Sequence, residues 1–181
     1  MQKSKSAFLA MIGLVLGFGH GPVLAQSRDD AEARLSRTVP FSGNADTATL
    51  EFTKLDECVY RVVSVSKFGD QTTVARSDAD FSAARFEKVI AEPGFDGSFG
   101  VVQISNSAGV QATRWQTEST NMSSSAIDMQ RSMGAVCEGS TCVNEGRHDN
   151  LQVFVRGDDL NALMRAVSAD LLTLGAACAP N

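Results

Sequence analysis

Apolar and polar residues alternate at every second position over several short runs, the pattern of half-buried strands. In Cys58–Ser66 (CVYRVVSVS), Cys58, Tyr60 and Val62 alternate with Val59, Arg61 and Val63. Thr47–Leu55 (TATLEFTKL) is similarly rich in strand-forming residues, and Asp56-Glu57 between the two runs predicts a hairpin turn. Gly69-Asp70 marks another turn, after which Thr72–Ser77 reads as a third strand. Residues 78–92 fit either period. Phe81, Ala84, Arg85 and Val89 have near-helical spacing, whereas Ala84–Ala91 (ARFEKVIA) serves equally as a strand, which the closing Pro93-Gly94 favours. Phe99–Ser105 and Val110–Gln116 are strands again, and Asn106-Ser107-Ala108-Gly109 between them predicts a hairpin. Thr117–Ser125 reads as a polar loop, Met129 and Met133 hint at a short helix, and Leu151–Val155 is a strand.

The period changes near the end of the chain. Leu160, Met164, Val167, Leu171 and Leu174 follow at steps of 4, 3, 4 and 3, with Leu163 beside Met164, so one helical stripe carries six large apolar groups. Asp158 stands where a cap belongs, and Asp159 favours the positive helix end. Such a stripe is a core-packing face. Upstream, Gln26–Pro40 is polar and charged, with room for one helical turn around Asp30–Leu35, and residues 26–46 read as a flexible lead-in. The expected fold is therefore α+β, spanning residues 47–181 as one domain. An antiparallel meander of about six or seven strands, able to curl into a partial barrel, packs on one C-terminal amphipathic helix. In element order this is similar in outline to pleckstrin-homology-like barrels, a likeness that covers no diagnostic residue and implies no function.

Residues 1–25 read as a signal peptide. Lys3 and Lys5 precede the apolar run Ala7–Gly19, Gly21-Pro22 breaks it, and Val23 and Ala25 supply the small residues that a signal peptidase needs before Gln26. The run is shorter than the ~20 residues of a spanning helix, and no cysteine follows the cut, so no membrane anchor is expected after cleavage. Removing 25 of 181 residues leaves 156, and 16 Lys+Arg become 14 against an unchanged 21 Asp+Glu, so the formal charge moves from −5 to −7. That acidic balance argues against a nucleic-acid partner.

Export gives the four cysteines their meaning. In an oxidising compartment they read as two disulfides, for which three connectivities exist. Cys137 and Cys142 bracket the turn-forming Glu-Gly-Ser-Thr, and Cys178 continues the helix stripe toward the sheet, so Cys137–Cys142 and Cys58–Cys178 are favoured. The four-residue insert is longer than that of redox motifs, and Cys58 and Cys178 lack the close partners of a four-cysteine zinc site. No metal or other cofactor is expected.

His148 is the only histidine after residue 25, so any histidine-dependent chemistry must pass through it. It lies in Asn144–Asn150 (NEGRHDN), a run of turn formers in which Glu145, His148 and Asp149 are weak catalytic candidates. Gly94–Gly100 has glycines at every third position but is followed by a strand rather than a helix, so a hairpin loop is the better reading than a phosphate cradle. The acidic pairs Asp29-Asp30, Asp56-Glu57 and Asp158-Asp159 are accounted for by lead-in, turn and cap. Trp115 and Tyr60, each the only one of its kind, are expected to be core or half-buried. The leading expectation is a periplasmic or secreted, non-enzymatic module that binds a protein or envelope component, for instance an inhibitor presenting the Cys137–Cys142 loop. The alternatives are a small-ligand carrier using a sheet–helix cavity and a hydrolase dependent on His148.

Overall fold

The computed structural model describes residues 27–39, 41–42, 49–94 and 97–180. The proposed signal peptide lies outside them. In chain order the elements are α1 (Arg28–Thr38), β1 (Phe41–Ser42), β2 (Thr49–Asp56), β3 (Val59–Phe68), β4 (Gln71–Asp80), β5 (Phe86–Pro93), β6 (Gly100–Asn106) and β7 (Thr113–Thr120). Then come α2 (Ser124–Ser132), β8 (Val136–Glu138), β9 (Thr141–His148), β10 (Asn150–Val155) and α3 (Leu160–Cys178). The fold is α+β with a C-terminal helix, as the patterning predicts. The described strands number ten rather than six or seven, and they form two antiparallel sheets. One runs β1-β2-β3-β4-β7-β9-β8 and the other β10-β6-β5, and neither closes into a barrel.

The core lies between α3 and the inner faces of both sheets. Met164, Val167, Leu171 and Leu174 of the helix are buried against Val102, Ile104, Leu151, Val153 and Val155 of the smaller sheet and against the end of the larger one. Gly175 permits the closest approach, because a Cβ there would run into the carbonyl of Phe86. A chain of rings crosses the core from the larger sheet. Phe52 stacks on Tyr60 at 5.7 Å, Tyr60 meets Phe81 edge-on at 5.3 Å, and Phe81 stacks on Phe86 at 4.4 Å. The sulfur bridges Cys58–Cys178 and Cys137–Cys142 are both formed, with Cα–Cα separations of 5.7 and 4.0 Å. The first fastens the last turn of α3 to the β2–β3 turn. Disulfides of this kind fit a protein that matures in an oxidising compartment. No helix among the described residues is long and apolar enough to cross a membrane.

Five local expectations are corrected. Residues 28–39 are not a flexible lead-in: α1 spans three turns and buries Ala31 and Leu35 completely, and its C-cap Val39 is fully buried as well. Ser27 caps it by accepting from the Asp30 amide, and Arg34 reaches across to Asp170 of α3 at 2.9–3.3 Å. Secondly, β6 and β7 are not a hairpin, since they belong to different sheets. Buried Asn106 turns the chain between them: its Nδ2 donates to the carbonyls of Val110 and Asp149, and its Oδ1 accepts from the Val110 amide. Thirdly, strand β7 continues to Thr120 where a loop was expected. Its hydroxyls pair across the ladder, as Ser119 with Thr73 at 3.0 Å, so polarity here does not mark a loop. Fourthly, the α3 cap is Asp159, whose carboxylate accepts from the Ala162 amide. Finally, residues 144–148 are strand, part of β9, and only Asp149 separates it from β10. Residues 78–92 resolve as the end of β4, a turn and strand β5.

Candidate functional site

The corner at Asp149, where the chain leaves one sheet for the other, opens a groove of about 250 Å³. Its floor is the part of the larger sheet's inner face that α3 does not cover. Alternation decides what it presents: Ala75 and Ser77 of β4 and Thr113, Trp115 and Thr117 of β7 all point the same way, because Ser77 pairs in register with Trp115 and Ala75 with Thr117. On β9, Gly146 pairs with Trp115 and His148 with Thr113. Asn150 and Gln152 of β10 form the other wall.

The small residues leave space that the two rings occupy. Trp115 and His148 lie face to face, with centroids 5.4 Å apart and planes 8° from parallel. The indole fits because its neighbour is Gly146, where a Cβ would come within 2.8 Å of the ring nitrogen. Two polar groups here are buried without a hydrogen-bond partner among the described residues: the Trp115 Nε1–H and the Thr113 hydroxyl. Such groups are uncommon in native interiors and call for an explanation. The rim offers amides, with Gln152 Nε2 donating to Gln103 Oε1 at 2.9 Å.

The three histidine-centred candidates are not brought together. Glu145 and His148 are three residues apart on one strand, so their side chains leave opposite faces of the sheet. Glu145 lies on the outer face, 3.4 Å from Arg114. The Asp149 carboxylate accepts from Asn150 Nδ2 at 3.1 Å. His148 has Trp115 as its ring partner. The groove itself was missed in the sequence because residues 144–150 read as loop. The signal that would have found it is the alternation Thr113-Trp115-Thr117, set against Gly146 and His148 two apart.

Elsewhere, the Cys58–Cys178 bridge lies under polar groups. The Tyr60 hydroxyl, fully buried, donates to Glu32 Oε1 at 2.7 Å and sits 3.8 Å from Cys178 Sγ. Burial first, and that hydrogen bond second, push the Tyr60 phenol well above its ordinary pKa. Glu32 is also paired with Lys54 at 3.0 Å and Arg28 at 3.4 Å. Among the described residues, no group of three His, Cys, Asp or Glu side chains is placed to hold a metal ion. No protein-family model, curated protein or solved structure matches the chain.

Proposed function

We propose that this chain is a non-enzymatic binding module of the periplasm or extracellular space, which engages a protein or envelope component through the groove at the two-sheet corner. The observation that carries the reading is the Trp115–His148 pair beside a buried, unpartnered Thr113 hydroxyl, in an open groove rimmed by amides. A flat aromatic surface with hydrogen-bonding groups around it suits a ligand that is apolar on one side and polar at its edges. The two disulfides support placement outside the cytoplasm, and a sheet tied at both bridges presents the groove on rigid strands.

The carrier reading has less support. Met164, Val167, Leu171 and Leu174 fill the space between α3 and the sheets, and the depression of about 400 Å³ beside α3 opens at the surface between Arg85, Leu172 and Ala179. The hydrolase reading also has less support, since Glu145 is on the other face and the Asp149 carboxylate is hydrogen-bonded to Asn150 Nδ2.

Photo-crosslinking tests the proposal. With p-benzoylphenylalanine at Thr117 or Gln152, in the groove, exposure of cells is expected to give a defined adduct, while the same group at Ser36 of α1 gives none. Adducts from position 36 alone, or none from any position, would overturn the assignment of the groove. Hydrolysis of an ester or glycoside that disappears in His148→Ala would overturn the non-enzymatic reading.

A further inference from the structure

The outer face of the same sheet carries a second feature, independent of the groove. Strand register lines up four charged residues side by side across four strands: Arg61 on β3, Asp78 on β4, Arg114 on β7 and Arg147 on β9. One step along the same face lie Arg76, Gln116 and Glu145. At these seven positions four arginines stand among two carboxylates, in a chain whose overall formal charge is −5.

The pairing among them is uneven. Asp78 stands between Arg61 and Arg114 but gives both oxygens to Arg61, at 2.6 Å each, in a bidentate fork. Arg114 is left with one 3.4 Å contact to Glu145, and both of those side chains are more than half exposed. Arg147 directly opposes Arg114, and like charges opposite one another disfavour a sheet pair. Among the described residues its guanidinium donates one hydrogen bond, a long one of 3.5 Å, to the Gln111 carbonyl. Arg76 makes no hydrogen bond or ion pair with the described residues. Other carboxylates on this face are Glu51 on β2, across Val63 in the same row, Asp80 two residues beyond Asp78, and Glu118 two residues beyond Gln116, and none of them forms an ion pair with Arg76. Between Arg61, Arg76, Asp78, Arg114 and Gln116 is a depression of about 160 Å³.

We infer that this depression is an anion site, in which Arg76 and Arg114 bind a phosphate group. Two guanidinium groups without a full partner converge on one small space. A planar carboxylate is satisfied by a single fork, whereas a phosphate presents three or more acceptor oxygens and suits two. Arg61 is held by Asp78 and acts as a wall with its charge already matched. The phosphate belongs either to a soluble molecule or to the headgroup of an envelope lipid.

Calorimetric titration of the intact protein with inorganic phosphate at low ionic strength tests the site, with acetate as comparator. Saturable phosphate binding is expected, weakened about tenfold or more in Arg76→Gln/Arg114→Gln and unchanged in Arg165→Gln on exposed α3 surface. Flotation with phosphatidylcholine vesicles containing phosphatidic acid, lost in the double variant, would assign the phosphate to a lipid. Phosphate binding without flotation would assign it to a soluble ligand. Failure of both arms, equal binding of acetate, or binding that the double variant retains in full while keeping the native circular dichroism, would overturn the site.

Discussion

At Gly146 a Cβ would come within 2.8 Å of Trp115 Nε1 and 3.0 Å of the adjoining ring carbons. The indole is wedged between sheet and His148 and has no flexible end to withdraw. Gly146→Ala is therefore expected to displace the ring, costing about 1–3 kcal/mol in urea denaturation as overpacked sites do. Since Trp115 is the only tryptophan, its emission spectrum reports the displacement directly. Tyr60, the only tyrosine, gives a second residue-scale prediction. Its phenol is held above the ordinary value of 10.0, so the folded state keeps a proton that the unfolded chain releases. The resulting stability is fully present below pH 10 and drains away as pH rises from there toward the folded pKa. Absorbance at 295 nm should show no tyrosinate near pH 10 in the native protein, with ionisation appearing only at higher pH or together with unfolding. At this scale the sequence disclosed identities rather than placements: that His148 was alone was plain, but that Glu145 would leave the opposite face depended on residues 144–148 being strand.

Elements were legible in proportion to how much apolar surface they carry. The stripe Leu160, Met164, Val167, Leu171 and Leu174 announces α3 because every turn contributes to the core. Helix α1 and its C-cap do the same with three positions, Ala31, Leu35 and Val39, in an otherwise charged segment, and the remaining ties are tertiary: the Arg34–Asp170 ion pair and the hydrogen bond from the Tyr60 hydroxyl to Glu32. Local composition cannot reveal partners 136 and 28 residues away. Leu35→Ala is expected to cost about 2–5 kcal/mol, as for other fully buried leucines, measured by denaturant unfolding. A lead-in without packing would show no change. Strand β9 was hidden for a different reason. Its Asn144, Glu145 and Gly146 are poor strand formers by propensity, and they are strand because β7 offers a complete ladder of partners.

For the whole molecule, the split into two sheets escaped prediction because it hinges on one side chain. Asn106 replaces the ladder bonds that a hairpin would have made, and a turn-rich tetrapeptide looks the same in both cases. The sulfur bridges were legible, since Cys178 sits in phase with the α3 stripe. Their weights should differ: closing a loop of 120 residues is worth about 5 kcal/mol in the chain-entropy model, and closing one of 5 about 2. Cys58→Ser/Cys178→Ser should accordingly lower the unfolding free energy more than Cys137→Ser/Cys142→Ser, and the native protein should titrate no free thiol.

The longer bridge also makes a covalent ring of nearly everything between Cys58 and Cys178. A protease that nicks any loop within that ring, such as the one at Gly97 or at Gly109, severs one peptide bond and releases nothing. The cut protein would run as a single species until a reductant is added, so exposed loops on this scaffold can be clipped without the halves parting company.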